Sequence, residues 1–186
     1  LVYFMEKYKE LLYLARSSLE SHFKGKEVDI PNDVKEKYGD LGACFVTLTE
    51  NGDLRGCIGS LEAKQALYQD VIDNTINAGF NDSRFDSLEE EELDEIQIEV
   101  SVLTKPFQLK FDCWEDLLEK IDDRMGIILS CNGQSATFLP SVWEQIPDKE
   151  IFLEELSMKA GLDKDSWKDE NCKIEIYSVE KIIEEE

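Results

Sequence analysis

Between Ile96 and Val102 the chain reads Ile-Gln-Ile-Glu-Val-Ser-Val, with apolar and polar residues in strict alternation. Successive side chains of a β-strand point to opposite faces, so this run predicts a strand with one covered face and one more open face. The fold must then contain a sheet that rests on a core by one side, a common arrangement in antiparallel sheets. Ile98, Val100 and Val102 fall on one side, and Gln97, Glu99, Ser101 and Leu103 on the other.

Helical and strand periods divide the remainder. Residues 7–23 set Leu11, Leu12, Leu14, Ala15, Leu19 and Phe23 at helical spacing, with Gly25 past the end, which predicts an opening amphipathic helix. Residues 31–38 read as a linker or a helical turn. Residues 42–48 have strand composition, and Glu50-Asn51-Gly52-Asp53 is a hairpin signal. Leu54-Arg55-Gly56-Cys57-Ile58-Gly59 is therefore predicted to be the return strand. A helix over 66–79 ends at the loop 81–85, and the acidic stretch 88–93 reads as a short surface helix. After Pro106 come an extended piece to Phe111, a helix with Asp112 as N-cap, and a hairpin of 126–131 with 134–138 across Asn132-Gly133. A helix over 150–160 closed by Gly161 and a last strand over 173–179 precede an acidic tail.

Charge and cysteine usage narrow the function classes. Forty-two acidic residues against 20 basic ones give a formal charge of −22, which repels a phosphate backbone, so no nucleic-acid partner is expected. No apolar run is long enough for a membrane span, and the N-terminus lacks the pattern of a signal peptide, so no membrane association and a cytoplasmic location are expected. The first four residues, Leu-Val-Tyr-Phe, precede a methionine that reads as a native start and are expected to be left over from expression. The five cysteines include no C-x-x-C pair, and His22 is the single histidine. Neither a disulfide framework nor a metal centre is expected, and Cys44, Cys113, Cys131 and Cys172 read as packing or incidental residues.

The segment Leu54–Gly59 is the candidate site, since a plain core strand needs neither a cation nor two glycines. In a regular strand Arg55, Cys57 and Gly59 share one face. A neighbouring cation favours a thiolate, whose ordinary thiol pKa is about 8.5, and glycine leaves room for a ligand to approach the backbone. Two readings of Cys57 stand: a reactive thiol, or a small apolar core residue. Glu99 either pairs with Arg55 or Arg84 or faces water. Arg84, after the Asn81-Asp82-Ser83 turn, either holds an anion through its guanidinium fork or ties the loop down.

With these residues in place, the chain resembles the AMMECR-type domain family, from about Met5 to Ile183. The resemblance rests on LRGCIG at 54–59, the 42–48 strand, the 67–78 helix, and Phe80-x-Asp82-x-Arg84-Phe85. It continues through Glu99-Val100-Ser101-Val102-Leu103, Thr137-Phe138-Leu139-Pro140-x-Val142-Trp143-Glu144 and Lys159-Ala160-Gly161-Leu162. Gly79 and Ser83 depart from the family's usual alanine and proline. The resemblance implies an α+β fold with two unequal lobes in one domain. The larger would be an antiparallel sheet flanked by helices and built from both chain ends, and the smaller mainly helical, with the LRGCIG strand bordering the cleft between them. Prokaryotic members carry the label AmmeMemoRadiSam system protein A, which implies Memo-like and radical-SAM proteins as partners. No cofactor of its own is implied. The expectation is an enzyme or enzyme component in which Cys57, Arg55 and Glu99 are catalytic while Gly56, Gly59 and Arg84 bind an unidentified small molecule. The other reading is a noncatalytic partner protein.

Overall fold

A computed structural model describes residues 7–185; the expectation for residues 1–4 lies outside them. The fold is α+β, and the described residues form two compact units, one of residues 7–103 with 180–185 and the other of residues 104–179. The larger unit thus draws on residues from both the first part and the last part of the described chain.

In the first unit, helices α1 (Lys9–Phe23) and α2 (Asn32–Lys37) precede strands β1 (Leu41–Glu50), β2 (Asp53–Gly59) and the short β3 (Gln65–Ala66). Helix α3 (Leu67–Phe80), a 3-10 turn at Glu90–Asp94 and strand β4 (Ile96–Leu103) follow. Strand β9 (Val179–Ile183) returns to complete a sheet of order β2-β1-β4-β9, with β3 also paired to β1. The alternation of residues 96–102 works as anticipated: Ile98 and Val100 are fully buried beside Val46 and Leu48 of β1 and Leu11, Leu14 and Leu19 of α1. Each such side chain contributes about 2 kcal/mol by leaving water. Helix α3 seals the same face with Val71 and Ala78.

The β1–β2 hairpin turns through Asn51 at φ 51°, a left-handed conformation that asparagine tolerates well. Its pairing runs Glu50↔Asp53 and Thr49↔Leu54, then shifts to Leu48↔Gly56 and Thr47↔Cys57. Arg55 is the extra residue of a β-bulge, so the simple alternation expected of LRGCIG fails there.

The second unit adds a four-stranded sheet that the expectation of a mainly helical lobe leaves out. It contains β5 (Phe107–Gln108), α4 (Trp114–Lys120), β6 (Gly126–Cys131), β7 (Gln134–Phe138), α5 (Lys149–Lys159) and β8 (Lys173–Tyr177), with strand order β5-β8-β6-β7. Ile127, Leu129, Phe152, Leu153, Leu156 and Trp167 form its core. The N-cap of α4 is Cys113, one residue after the expected Asp112, and it makes no side-chain cap. Asp148 caps α5, accepting from the Glu150 and Ile151 amides. The single last strand expected over 173–179 is two strands that break at Ser178, because the chain leaves one sheet for the other there.

Cysteine pairing is a correction. Cys131 and Cys172 form a disulfide, although both were expected to be packing or incidental residues. Sequence spacing cannot reveal a bridge between two distant strands until the strand order is known. Among the described residues no helix is long and apolar enough to cross a membrane.

Candidate functional site

Strand β2 lies at the end of its sheet order, so its outward backbone groups lack a neighbouring strand. At Cys57 they are held by side chains from the loop after α3. The Cys57 amide donates to Asp82 Oδ2 at 2.9 Å, and Arg84 Nη2 donates to the Cys57 carbonyl at 3.2 Å. Arg84 in turn grips Asp82 by two bonds, Nε to Oδ1 at 2.9 Å and Nη2 to Oδ2 at 2.7 Å. The pair acts as a surrogate strand at this one residue. It gives a physical reason for Asp-x-Arg to accompany LRGCIG.

The pair is asymmetric in exposure: the Asp82 side chain is 4% exposed and that of Arg84 55%. The Arg84 guanidinium, followed by the Cys57 amide, holds the Asp82 carboxyl well below the usual carboxylate range. Since folding lowers this pKa, the stabilisation is complete above the unfolded value of about 3.9 and is lost as pH falls through the folded value. Asp82→Asn should therefore cost stability near neutrality, with the difference from wild type shrinking between about pH 4 and 2. Urea denaturation across that range checks it, and a difference that stays constant to pH 2 would contradict this role for Asp82.

Arg55 is placed elsewhere than expected. The bulge turns it to Glu92, with Nε–Oε1 at 2.6 Å and Nη2–Oε2 at 2.9 Å, and its Nη1 donates to the Asp86 carbonyl at 3.0 Å. The fork is filled by the 3-10 turn, and the cation beside the Cys57 backbone is Arg84.

The two glycines are also occupied rather than open. A Cβ on Gly56 would lie 2.1 Å from the Ala78 carbonyl oxygen of α3, and one on Gly59 would lie 2.2 Å from the Phe45 ring. Both glycines permit close packing within the unit, and the ligand room expected above them is filled.

Cys57 and Glu99 do come to one face. Thr47 of β1 pairs with Cys57 on one side and with Glu99 of β4 on the other, so the three side chains form a lateral row. The Thr47 hydroxyl donates to Cys57 Sγ at 3.3 Å. Glu99 Oε1 accepts from Ser101 Oγ at 3.0 Å and meets Lys181 Nζ of β9 at 3.2 Å. The partner of Glu99 is thus Lys181, neither of the two arginines considered for it. Cys57 is half-buried, whereas Cys44 is fully enclosed on the opposite face. Burial, aided by the charge of Asp70, pushes the Cys44 thiol far up.

Thr47, Asp82 as a backbone clamp, and Lys181 escaped sequence reasoning. Asp70 did as well: it accepts from the Cys44 amide, Asn74 and Ser60, tying α3 to the chain just beyond Gly59. The Asp-x-Arg spacing was the available signal for the clamp. The other contacts depend on strand pairing. His22 stacks on Phe80 at 4.0 Å between ring centroids. A cavity of about 1090 Å³ in the first unit is lined by Tyr13, Arg16, Gln97 and Glu184, without Cys57. Its Arg16 is bound to Glu184 and to the Leu93 and Ile96 carbonyls.

An α+β chain whose LRGCIG edge strand is clamped by Asp-x-Arg defines an AMMECR1-type domain. The family model described as AMMECR1 matches residues 12–182, and the chain belongs to that family. It is 36% identical to a protein of Aquifex aeolicus (strain VF5), across 96% of this chain and 93% of that one. It is 37% identical to Protein NEQ441 of Nanoarchaeum equitans (strain Kin4-M), across 95% and 98%. Among solved structures it is similar to the uncharacterized protein PH0010 from Pyrococcus horikoshii, with a TM-score of 0.73 and 34% identity, covering 97% of this chain and 92% of that chain.

Proposed function

We propose that the chain is an enzyme component that acts through Cys57 on the polar face of the five-stranded sheet. The observation that carries this reading is the fixing of Cys57 by Asp82, Arg84 and Thr47. Such restraint suits a thiol that must be held for attack on an electrophilic centre. In that step the Cys57 thiol gives its proton to water and the sulfur adds to an electrophilic carbonyl carbon, whose π electrons move onto the carbonyl oxygen; Glu99 stands two strands away in the same row. Among the described residues Arg84 Nη1 makes no hydrogen bond within the protein, so it is free to meet an anionic group of the substrate. Arg55 and the glycines serve as supports for the strand.

The test is alkylation of the folded protein followed by mass spectrometry. Cys57 and the exposed Cys113 should react, while Cys44 stays protected until unfolding. Thr47→Val should change the Cys57 rate and leave that of Cys113 alone. A Cys57 as protected as Cys44 would end this reading.

The breadth of the row, from Cys57 to Lys181, favours a second reading in which this face docks a Memo-like or radical-SAM partner. Then Lys181→Glu should weaken complex formation and Cys57→Ser should not. Under the first reading, Cys57→Ser removes turnover while the complex persists.

A further inference from the structure

The disulfide of the second unit belongs to a larger group of ligating atoms. Cys131 ends β6 and Cys172 stands just before β8, and the neighbouring pair Ser130↔Lys173 puts the two cysteines opposite one another, with Cα atoms 4.4 Å apart. Asp169 joins them through a tight turn in which the Cys172 amide donates to the Asp169 carbonyl at 3.0 Å. The two sulfurs and an Asp169 carboxylate oxygen all lie within 4.8 Å of one another. Both cysteines are buried and Asp169 is exposed, so the group is walled on the sulfur side and open on the carboxylate side.

We propose that reduction of the Cys131–Cys172 bond creates a zinc site of two thiolates and the Asp169 carboxylate, with the fourth position open to water. Thiolates with a carboxylate suit Zn²⁺ and are poor ligands for the hard ions Ca²⁺ and Mg²⁺. The Asp169-x-x-Cys172 turn has the short spacing typical of paired zinc ligands, and Cys131 supplies the distant ligand from a strand end. Two buried thiolates without a cation would be costly in a chain already at −22. Disulfide and metal therefore exclude one another, since each uses the same two sulfurs.

The step balances with a phosphine as reductant. The S–S bond takes two electrons from phosphorus, and water supplies the oxygen of the phosphine oxide and the two thiol protons. Zn²⁺ then displaces those protons. The experiment uses the full chain carrying C57S and C113S, which leaves the buried Cys44 as the other thiol. The chain is reduced with a phosphine without oxygen and titrated with Co²⁺, followed by Zn²⁺ competition against a chromophoric chelator. The expected result is one equivalent of Co²⁺ with thiolate charge-transfer absorption, displaced by Zn²⁺, and no uptake by the oxidised chain. Asp169→Asn, an exposed change that leaves the disulfide able to form, should weaken binding by about tenfold or more. Cys172→Ser should abolish the charge-transfer band. Failure of the reduced chain to take up metal, or equal uptake by the Asp169→Asn chain, would overturn the proposal.

Discussion

Gly56→Ala is expected to destabilise the first unit by on the order of 3 kcal/mol, at the upper end of overpacking costs. The added methyl would lie 2.1 Å from the Ala78 carbonyl oxygen and 3.0 Å from its carbon. Both are backbone atoms inside helix α3, so no rotamer change can relieve the clash. Either β2 moves outward or α3 moves away from Val46, Leu48 and Val100, and each opens the core. Gly59→Ala is the informative comparison, because its nearest obstacle is the Phe45 ring. Turning the Phe45 side chain about χ1 relieves part of the strain, while its Cα at 2.7 Å stays in place, so adding Phe45→Ala should recover part of the loss at Gly59 and nothing at Gly56. Urea unfolding of the variants measures this. A Gly56→Ala chain within about 0.5 kcal/mol of wild type, the range of ordinary surface changes, would contradict the close approach of α3. A displaced β2 should also release Cys57 from Asp82, so the same variant should alkylate faster at Cys57.

The bulge explains why the site was only partly legible in the sequence. Asn51-Gly52 announces a hairpin, and pairing counted outward from Glu50↔Asp53 sets Thr47 opposite Gly56 in a regular ladder. One extra residue at Arg55 moves Thr47 opposite Cys57 instead. The same insertion turns Arg55 away to Glu92. No residue type in LRGCIG demands a bulge, since its energetic reason lies in groups far along the chain: the Ala78 carbonyl that claims Gly56, and Glu92 that receives Arg55. The helices and most strands were legible because their periods are local, as in residues 7–23 and 96–102. The break at Ser178 was hidden because β8 and β9 both have strand composition and differ only in which sheet receives them.

Asp82 and Arg84 show how a local motif gains meaning from a distant strand. By itself Asp82-Ser83-Arg84 is an ion pair closing its own turn, and exposed pairs contribute little. Here the aspartate is buried, its second oxygen holds the Cys57 amide, and the arginine reaches the Cys57 carbonyl. Loss of either partner leaves unpaired backbone groups on an edge strand. Stability of the hairpin and placement of the thiol therefore depend on the same two side chains.

Reduction of the Cys131–Cys172 bond, or Cys131→Ser, is expected to cost the second unit up to about 4 kcal/mol. The bond closes a loop spanning a sequence separation of 41, and chain entropy over such a loop sets that magnitude. The crosslink joins the end of β6 to the start of β8, central neighbours in the order β5-β8-β6-β7. Without it, the fraying of Ser130 from Lys173 is opposed by the ladder and by the packing of Leu129 and Ile174 alone. The loss should register first in that unit, and hydrogen exchange can locate it: amides of Ile127, Leu129 and Ile174 should lose protection on reduction before those of Val46 and Ile98. Cys44, sealed in the core of the first unit, reports independently, and its alkylation should lag behind that of the freed Cys131 and Cys172. Simultaneous loss of protection in both units at the lower denaturant concentration would show that the bridge stabilises the chain as one cooperative body, contrary to this local account.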